Sequence, residues 1–121
     1  MKAILLKEAI PTLHKIGSIT LLGSTVIEGD PQASALSTLG EPSDNLNGGY
    51  FACTHGKFSM TYPFTEYATV LSGSLALTNE LTGERTVYGP GDSWIVEKGT
   101  PVTWEVLSDE FVKHYLACVN P

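Results

Sequence analysis

Short runs of β-branched and aromatic residues, separated by glycine, proline and asparagine, follow one another from Ser18 to the end of the chain. This pattern is typical of an all-β sandwich or barrel. Two of the separators, "LTGE" and "GPGD", have the composition of tight turns, and Gly83 in the first can take a positive φ. The predicted strands are Ser18–Ile27, Tyr50–Thr54, Lys57–Tyr62, Tyr67–Leu71, Ser74–Asn79, Arg85–Tyr88, Ser93–Val96, Val102–Leu107 and Val112–Val119.

The N-terminal part of the chain is less regular. "LLKEAIPTL" has the apolar spacing of a helix, but Pro11 interrupts it, so we expect only a short helix or a short strand there. Between Glu28 and Gly48 the sequence shows no clear periodicity. A loop of this length inside a compact domain is unusual, and we expect either an ordered lid or an irregular edge strand.

Length and composition indicate one globular domain of 121 residues, in which residues 1–48 form an N-terminal extension and a long loop and residues 49–121 form the core. The net charge of −6 argues against nucleic acid or an anionic membrane as partner, because both require a basic surface. No apolar span is long enough to cross a membrane, and the two cysteines are expected to be buried reduced thiols. We expect a cytoplasmic protein.

Four pieces of the region after Gly49 resemble the cupin superfamily, and within it the short single-domain cupins similar to ureidoglycine aminohydrolase and the ethanolamine-utilisation cupins. These pieces are "GKF", the spacing of Glu66 to Gly73, "GPGDSWIVEKG" followed by "TWEV", and "KHY". The resemblance implies a β jelly-roll barrel whose interior can hold one small ligand. It also implies that Glu66, an acid at the start of an apolar strand, points into that interior.

In cupins the acid at this position commonly binds a metal together with three histidines. In this sequence the histidine positions fall on Met60, Tyr62 and Val102. One carboxylate cannot hold a divalent transition metal, so we expect no metal cofactor. A metal bound by His55, Glu66 and His114 is a less favoured alternative.

Strand alternation predicts which side chains line the interior. Phe58, Met60 and Tyr62 share one face, and so do Val102, Trp104 and Val106. Only one of Lys113 and His114 can face inward, and the resemblance favours Lys113 together with Tyr115. The predicted ligand-binding residues are Phe58, Met60, Val102, Trp104 and Tyr115; the aromatic members could equally be ordinary core residues.

These residues predict a protein that binds a small polar or amphiphilic organic molecule. If it is an enzyme, we expect proton-transfer chemistry such as isomerisation, elimination or hydrolysis of a carbon–nitrogen bond, with Glu66, Tyr62 and Lys113 as catalytic groups. The alternative is a non-catalytic ligand sensor or accessory protein with a closed pocket. The resemblance also implies a homodimer, because many cupins dimerise by pairing sheets or by exchanging N-terminal strands, and "MKAILL" could serve as such a strand at an open sheet edge.

Overall fold

A computed structural model describes all residues from 1 to 121, and nearly all of its regular structure is β. Every pair of strands is antiparallel. The all-β architecture expected from the sequence is therefore confirmed. The strands are β1 (His14–Ser18), β2 (Thr25–Gly29), β3 (Gln32–Leu39), β4 (Leu46–Thr61), β5 (Thr65–Ser72), β6 (Leu75–Asn79), β7 (Glu84–Tyr88), β8 (Ser93–Val96) and β9 (Pro101–Cys118).

Two long strands, β4 and β9, pair along their whole length and connect two layers of the barrel. In the first layer, sheet I, the strand order is β1-β3-β4-β9-β5-β8. In the second layer, sheet II, β4 pairs with β2 and β9 pairs with β6, which in turn pairs with β7. The pairing does not close, because β8 at the end of sheet I and β7 at the end of sheet II are not joined. An interior space remains between the two sheets.

The strands β4 and β9 each replace two predicted strands. The predicted strands Tyr50–Thr54 and Lys57–Tyr62 belong to one strand, β4, which ends at Thr61, and its ladder with β9 shifts register between Thr54 and Gly56. Across this shift β4 advances by two residues and β9 by four, so the extra residues lie in β9, and β4 continues through "HG" without a turn. The predicted strands Val102–Leu107 and Val112–Val119 likewise belong to one continuous strand, β9, which ends at Cys118.

The predicted strand Ser18–Ile27 is wrong. It divides into the end of β1, a 3-10 helix (Ile19–Leu22) and β2. The Ser18 side chain accepts a hydrogen bond from the Thr20 backbone N–H, and Gly23 ends the helical turn with a φ of 90°. Residues 1–13 contain no helix and no strand, so "MKAILL" has no strand partner within the chain.

The region between Glu28 and Gly48 is neither a lid nor an edge strand. It contains β3, which pairs with β1 on one side and with β4 on the other. The alternation of this strand is faint because alanine and serine make up half of "QASALSTL". The two predicted turns are confirmed: "LTGE" connects β6 to β7 with Gly83 at a φ of 77°, and "GPGD" connects β7 to β8.

Aromatic rings dominate the core between the sheets. Trp104 lies at its centre, stacked on Phe58 at 5.5 Å between ring centroids and edge-on to Trp94 and Phe111 at 5.9 and 5.8 Å. Burial of such rings supplies much of the stabilising apolar area in a domain of this size. No helix in the structure has the length and apolar character needed to cross a membrane.

Candidate functional site

A buried carboxylate is the centre of the candidate site. Glu66, the second residue of β5, is only 1% exposed. Its Oε1 atom accepts hydrogen bonds from the Tyr62 hydroxyl at 3.0 Å and from the Trp94 indole N–H at 3.1 Å. Its Oε2 atom accepts one from the Lys113 ammonium at 2.6 Å. Both carboxylate oxygens are thus engaged by protein donors, as the burial of a charged group requires.

The sheet register explains how Lys113 reaches Glu66. On the ladder between β5 and β9, Lys113 lies opposite Val70, while Glu66 lies opposite Ala117. Glu66, Val70 and Lys113 all face the interior, so the long lysine side chain extends along the strand direction toward the carboxylate. The carboxylate of Glu66 can face the interior of an apolar strand because Lys113 pairs with it there.

Four aromatic rings surround the Lys113 ammonium. Its Nζ atom lies 5.1 Å from the ring centroid of Phe51, 5.4 Å from Trp94, 4.8 Å from Trp104 and 5.2 Å from Tyr115. Distances below about 6 Å favour a cation over an aromatic face. Burial nevertheless lowers the pKa of Lys113, although Glu66 opposes this shift. The Lys113 ammonium makes no hydrogen bond within the chain other than the one to Glu66.

The two tyrosines of the site retain their protons at neutral pH. Burial raises the pKa of Tyr62 well above its ordinary value, and the nearby negative charge of Glu66 raises it further. Burial and Glu66 also raise the pKa of Tyr115. The indole N–H of Trp104 lies close enough to Tyr62 to oppose the rise in the Tyr62 pKa, yet it has no acceptor in hydrogen-bonding geometry. The site therefore contains more donors than acceptors.

A cavity of about 220 Å³ lies over the Glu66–Lys113 pair. Its inner wall combines these two side chains and the two tyrosines with apolar groups, among them Phe58 and Met60. Its outer wall includes the more exposed Ile16 and Leu22, from β1 and the 3-10 helix. The cavity is mostly apolar with a few convergent polar groups, which is the usual make-up of a small-molecule site.

Most of the residues proposed from the sequence meet at this cavity. Val102 does not: it lines a second cavity, of about 280 Å³, whose walls also include Tyr62 and Trp94. His114 points outward, where its Nε2 atom lies 3.0 Å from the Thr38 hydroxyl. The proposed residues that line the cavity over the Glu66–Lys113 pair are Phe58, Met60, Tyr62, Glu66, Trp104, Lys113 and Tyr115.

Sequence reasoning missed several members of the site. Trp94 donates to Glu66, and Phe51 contributes a ring beside Lys113. Alternation along "DSWIV" places Trp94 on the opposite face of the strand from Ser93 and Ile95. This pattern favours an inward-facing Trp94 ring, but it does not indicate that Glu66 is its hydrogen-bond partner. In the register of β8 against β5, Trp94 lies opposite Ala68, and this pairing brings the Trp94 indole to the Glu66 carboxylate.

The interior residues do not fit the metal that the cupin resemblance implies. The other ligand positions are occupied by Met60, Tyr62 and Val102, and the Lys113 ammonium already lies on the Glu66 carboxylate. No three side chains among His, Cys, Asp and Glu come together anywhere in the chain in a way that could hold a metal ion. This includes the alternative set of His55, Glu66 and His114. The cation at the Glu66 carboxylate is the Lys113 ammonium.

Comparison with known proteins identifies related folds. The family model of the EutQ-like cupin domain matches residues 40–115. No curated protein matches the sequence significantly.

Solved structures show the same architecture. A protein of unknown function from the DUF861 family of Pseudomonas syringae pv. tomato has a TM-score of 0.75 at 19% identity, over 89% of this chain and 45% of that one. The EutQ protein of Clostridium difficile has a TM-score of 0.61 at 19% identity, over 73% of this chain and 63% of that one. A DUF861 family protein of Thermotoga maritima has a TM-score of 0.51 at 29% identity, over 55% of this chain and 73% of that one. The chain therefore spans about half of the Pseudomonas protein and less than two thirds of the Clostridium one.

Proposed function

The chain belongs to the EutQ-like cupin family, and from this premise we propose that it binds a small amphiphilic organic molecule, without a metal, in the cavity over Glu66 and Lys113. The observation that carries the proposal is the buried ion pair in the inner wall of an otherwise apolar cavity of about 220 Å³. A cavity of this kind offers both apolar contact and directional hydrogen bonds.

Since both cysteines are free thiols, we further propose a reducing compartment such as the cytoplasm.

The hydrogen-bonding capacity of the inner wall indicates the ligand's polar group. An ammonium has three N–H donors, and Lys113 donates one of them to Glu66. The buried indole N–H of Trp104 also lacks an acceptor. A ligand that presents an oxygen acceptor, such as a carbonyl or hydroxyl group, satisfies the free N–H donors of Lys113.

The charge balance of the inner wall indicates that the ligand is uncharged. Glu66 already neutralises Lys113, and both side chains are buried. An anionic ligand would bring an additional negative charge into a site of low polarity, where burial of a charge is costly. The apolar body of a neutral ligand would lie against Phe58 and Met60.

For an enzymatic role, we propose proton transfer at the ligand oxygen. Lys113 and Tyr62 are two of the donors that line the cavity, and Glu66 accepts hydrogen bonds from both. Donation from Lys113 to a carbonyl oxygen would stabilise the negative charge that develops there during isomerisation, elimination or carbon–nitrogen hydrolysis. In this role Glu66 holds the ammonium in place and balances its charge.

One observation favours the second candidate function, a non-catalytic ligand sensor or accessory protein. Both oxygens of Glu66 are occupied by three donors, and its side chain is almost wholly buried. Glu66 must release a donor before it can accept a proton from a ligand, which hinders its use as a general base. Ligand binding alone does not require this step.

The two tryptophans of the chain allow a direct test by NMR. Two indole N–H signals are expected in a nitrogen-15 correlation spectrum, and Trp94→Phe assigns them. We would titrate cyclohexanone, methylcyclohexane and cyclohexanecarboxylate. Cyclohexanone should shift the Trp104 signal in a saturable manner, with a Kd on the order of millimolar for a ligand of about seven heavy atoms. Methylcyclohexane lacks the acceptor and cyclohexanecarboxylate is charged, so both should bind more weakly.

A cavity-filling variant provides the control. Met60→Phe enlarges a partly buried side chain in the cavity wall and should abolish the cyclohexanone shift while the rest of the spectrum stays folded. No saturable shift with any of the three probes would contradict the proposed binding. Tighter binding of the carboxylate than of the ketone would contradict the uncharged ligand class.

A further inference from the structure

A buried amide forms part of the wall of the cavity over Glu66 and Lys113. Asn47, the second residue of β4, is 4% exposed and lines this cavity. Its Nδ2 atom donates a hydrogen bond to the backbone oxygen of Asp44 at 3.1 Å, which fixes the orientation of the amide. Its Oδ1 atom has no hydrogen-bond partner within the chain. The only fully enclosed polar side-chain atom without a partner is the Trp104 indole nitrogen, so the Asn47 oxygen remains open to the cavity.

The Asn47 oxygen needs a donor from outside the chain, because a buried acceptor without a partner is costly. The other polar side chains of the wall have no such need. Both oxygens of Glu66 already accept hydrogen bonds from the chain, and the Lys113 ammonium can only donate. Three hydroxyl groups also line the cavity, those of Ser24, Tyr62 and Tyr115. A hydroxyl group can donate as well as accept, so Asn47 has the one free side-chain acceptor of the wall that cannot itself donate.

The sheet register places Asn47 across from the ion pair. Asn47 on β4 and Glu66 on β5 both lie opposite Ala117 of β9, one on each side of it. Since neighbouring strands are about 4.8 Å apart, the two Cα atoms are about 10 Å apart. Both side chains line the cavity, and Glu66 holds the Lys113 ammonium at 2.6 Å. An open acceptor and an open donor therefore lie on two sides of the same cavity.

We propose that the ligand of this cavity is a neutral secondary carboxamide, with its carbonyl oxygen on Lys113 and its N–H on Asn47. This inference rests on the ligand binding proposed above and narrows the class of ligand. A trans amide is planar and points its C=O and N–H groups in opposite directions. With a hydrogen bond of about 2.9 Å at each end, it bridges roughly 8 Å, which suits two side chains on either side of Ala117.

Asn47 is, in this arrangement, a specificity-determining residue. A ketone of the same shape satisfies Lys113 but leaves the Asn47 oxygen without a donor. A tertiary amide does the same and brings its second nitrogen substituent toward that oxygen. A site built to hydrogen-bond a ligand N–H discriminates against analogues that lack it, because a buried polar group of the site is then left unpaired. The cavity should therefore prefer the secondary amide over both analogues.

Three probes that share one acyl chain test this preference by their saturable shift of the Trp104 indole signal. N-methylbutanamide has both the oxygen acceptor and the N–H donor. N,N-dimethylbutanamide has the amide oxygen without the N–H, and hexan-3-one replaces the N–H by a methylene group. The wild type should bind N-methylbutanamide about tenfold more tightly than either analogue. In Asn47→Ala this preference should fall below about twofold, while the Kd of hexan-3-one stays nearly unchanged.

Two further variants separate the loss of the acceptor from structural effects. Asn47→Leu keeps a side chain of similar size without an acceptor, so it should lose the preference even if Asn47→Ala folds poorly. Ser24→Ala is the matched control, because Ser24 is a polar residue of the same cavity wall and is only 9% exposed. It should keep the preference of the wild type.

The results distinguish this inference from the proposal on which it rests. If hexan-3-one binds but the wild type shows no preference for N-methylbutanamide, the amide class is wrong and the ligand-binding proposal stands. The same holds if the preference persists in both Asn47 variants or is lost in Ser24→Ala instead. The absence of a saturable shift with all three probes would contradict both proposals.

Discussion

The Nζ atom of Lys113 lies 2.6 Å from the Oε2 atom of Glu66, and both side chains are almost wholly buried. Removing two charges from water costs several kcal/mol per ion, and only a close, hydrogen-bonded partner offsets this cost. The pair therefore explains why a carboxylate begins an otherwise apolar strand. It also explains why a protein without the histidines of a metal site keeps the acid.

Separating the two charges should destabilise the fold. Glu66→Leu leaves the Lys113 ammonium and two other donors without their acceptor, and we expect a loss of about 3 to 5 kcal/mol in the free energy of unfolding. Lys113→Met should cost a similar amount. The double variant removes both charges and should be more stable than either single variant. Urea denaturation of all three measures the coupling, and additive effects in the double variant would contradict a direct pair.

The buried thiol of Cys53 should make stability depend on alkaline pH. Burial raises its pKa from 9.0 to about 12, although the Lys113 ammonium opposes this. The folded state then keeps a proton that the unfolded chain loses, so this contribution is fully present below pH 9.0 and declines as the pH rises toward 12.

Urea denaturation between about pH 8.5 and 10.5 measures this effect. Stability of the wild type should fall more steeply than that of Cys53→Ala, by up to about 1.4 kcal/mol per pH unit. The alanine variant controls for the titration of every other group. Parallel slopes in the two proteins would show that the thiol titrates normally.

Gly73, seven residues after Glu66, should tolerate no side chain. Its φ of 83° is unfavourable for other residues, and a Cβ there would collide with the carbonyl oxygen of Glu110. Gly83 has a similar φ of 77°, but a Cβ there meets nothing. We expect Gly83→Ala to cost about 1 kcal/mol from the backbone alone and Gly73→Ala to cost several kcal/mol more. Equal melting temperatures of the two variants would contradict this close contact.

Local alternation predicted much of the site's geometry. It placed Phe58 and Tyr62 on one face of a strand, and the structure buries both. It also required a choice between Lys113 and His114, and the structure turns the lysine inward. These inferences need only the period of two along a strand, which a single sequence contains.

Other features depended on contacts between distant segments. The strand β3 was missed because alanine and serine give little alternation, and its pairing with β1 and β4 decides its conformation. The hydrogen bond from Trp94 to Glu66 depends on the register of β8 against β5. Val102 is buried as expected, but it lines a different cavity from the one that Lys113 lines.

We propose that the Lys113 ammonium occupies the place of a metal ion on Glu66. Elemental analysis of the purified, tag-free protein tests this proposal, after incubation with manganese, iron, nickel or zinc and removal of unbound ion. We expect far less than one metal ion per chain in each case, because no set of three suitable ligands is available around the acid. A stoichiometric ion that is lost in Glu66→Gln would contradict the claim and restore a metal-dependent site.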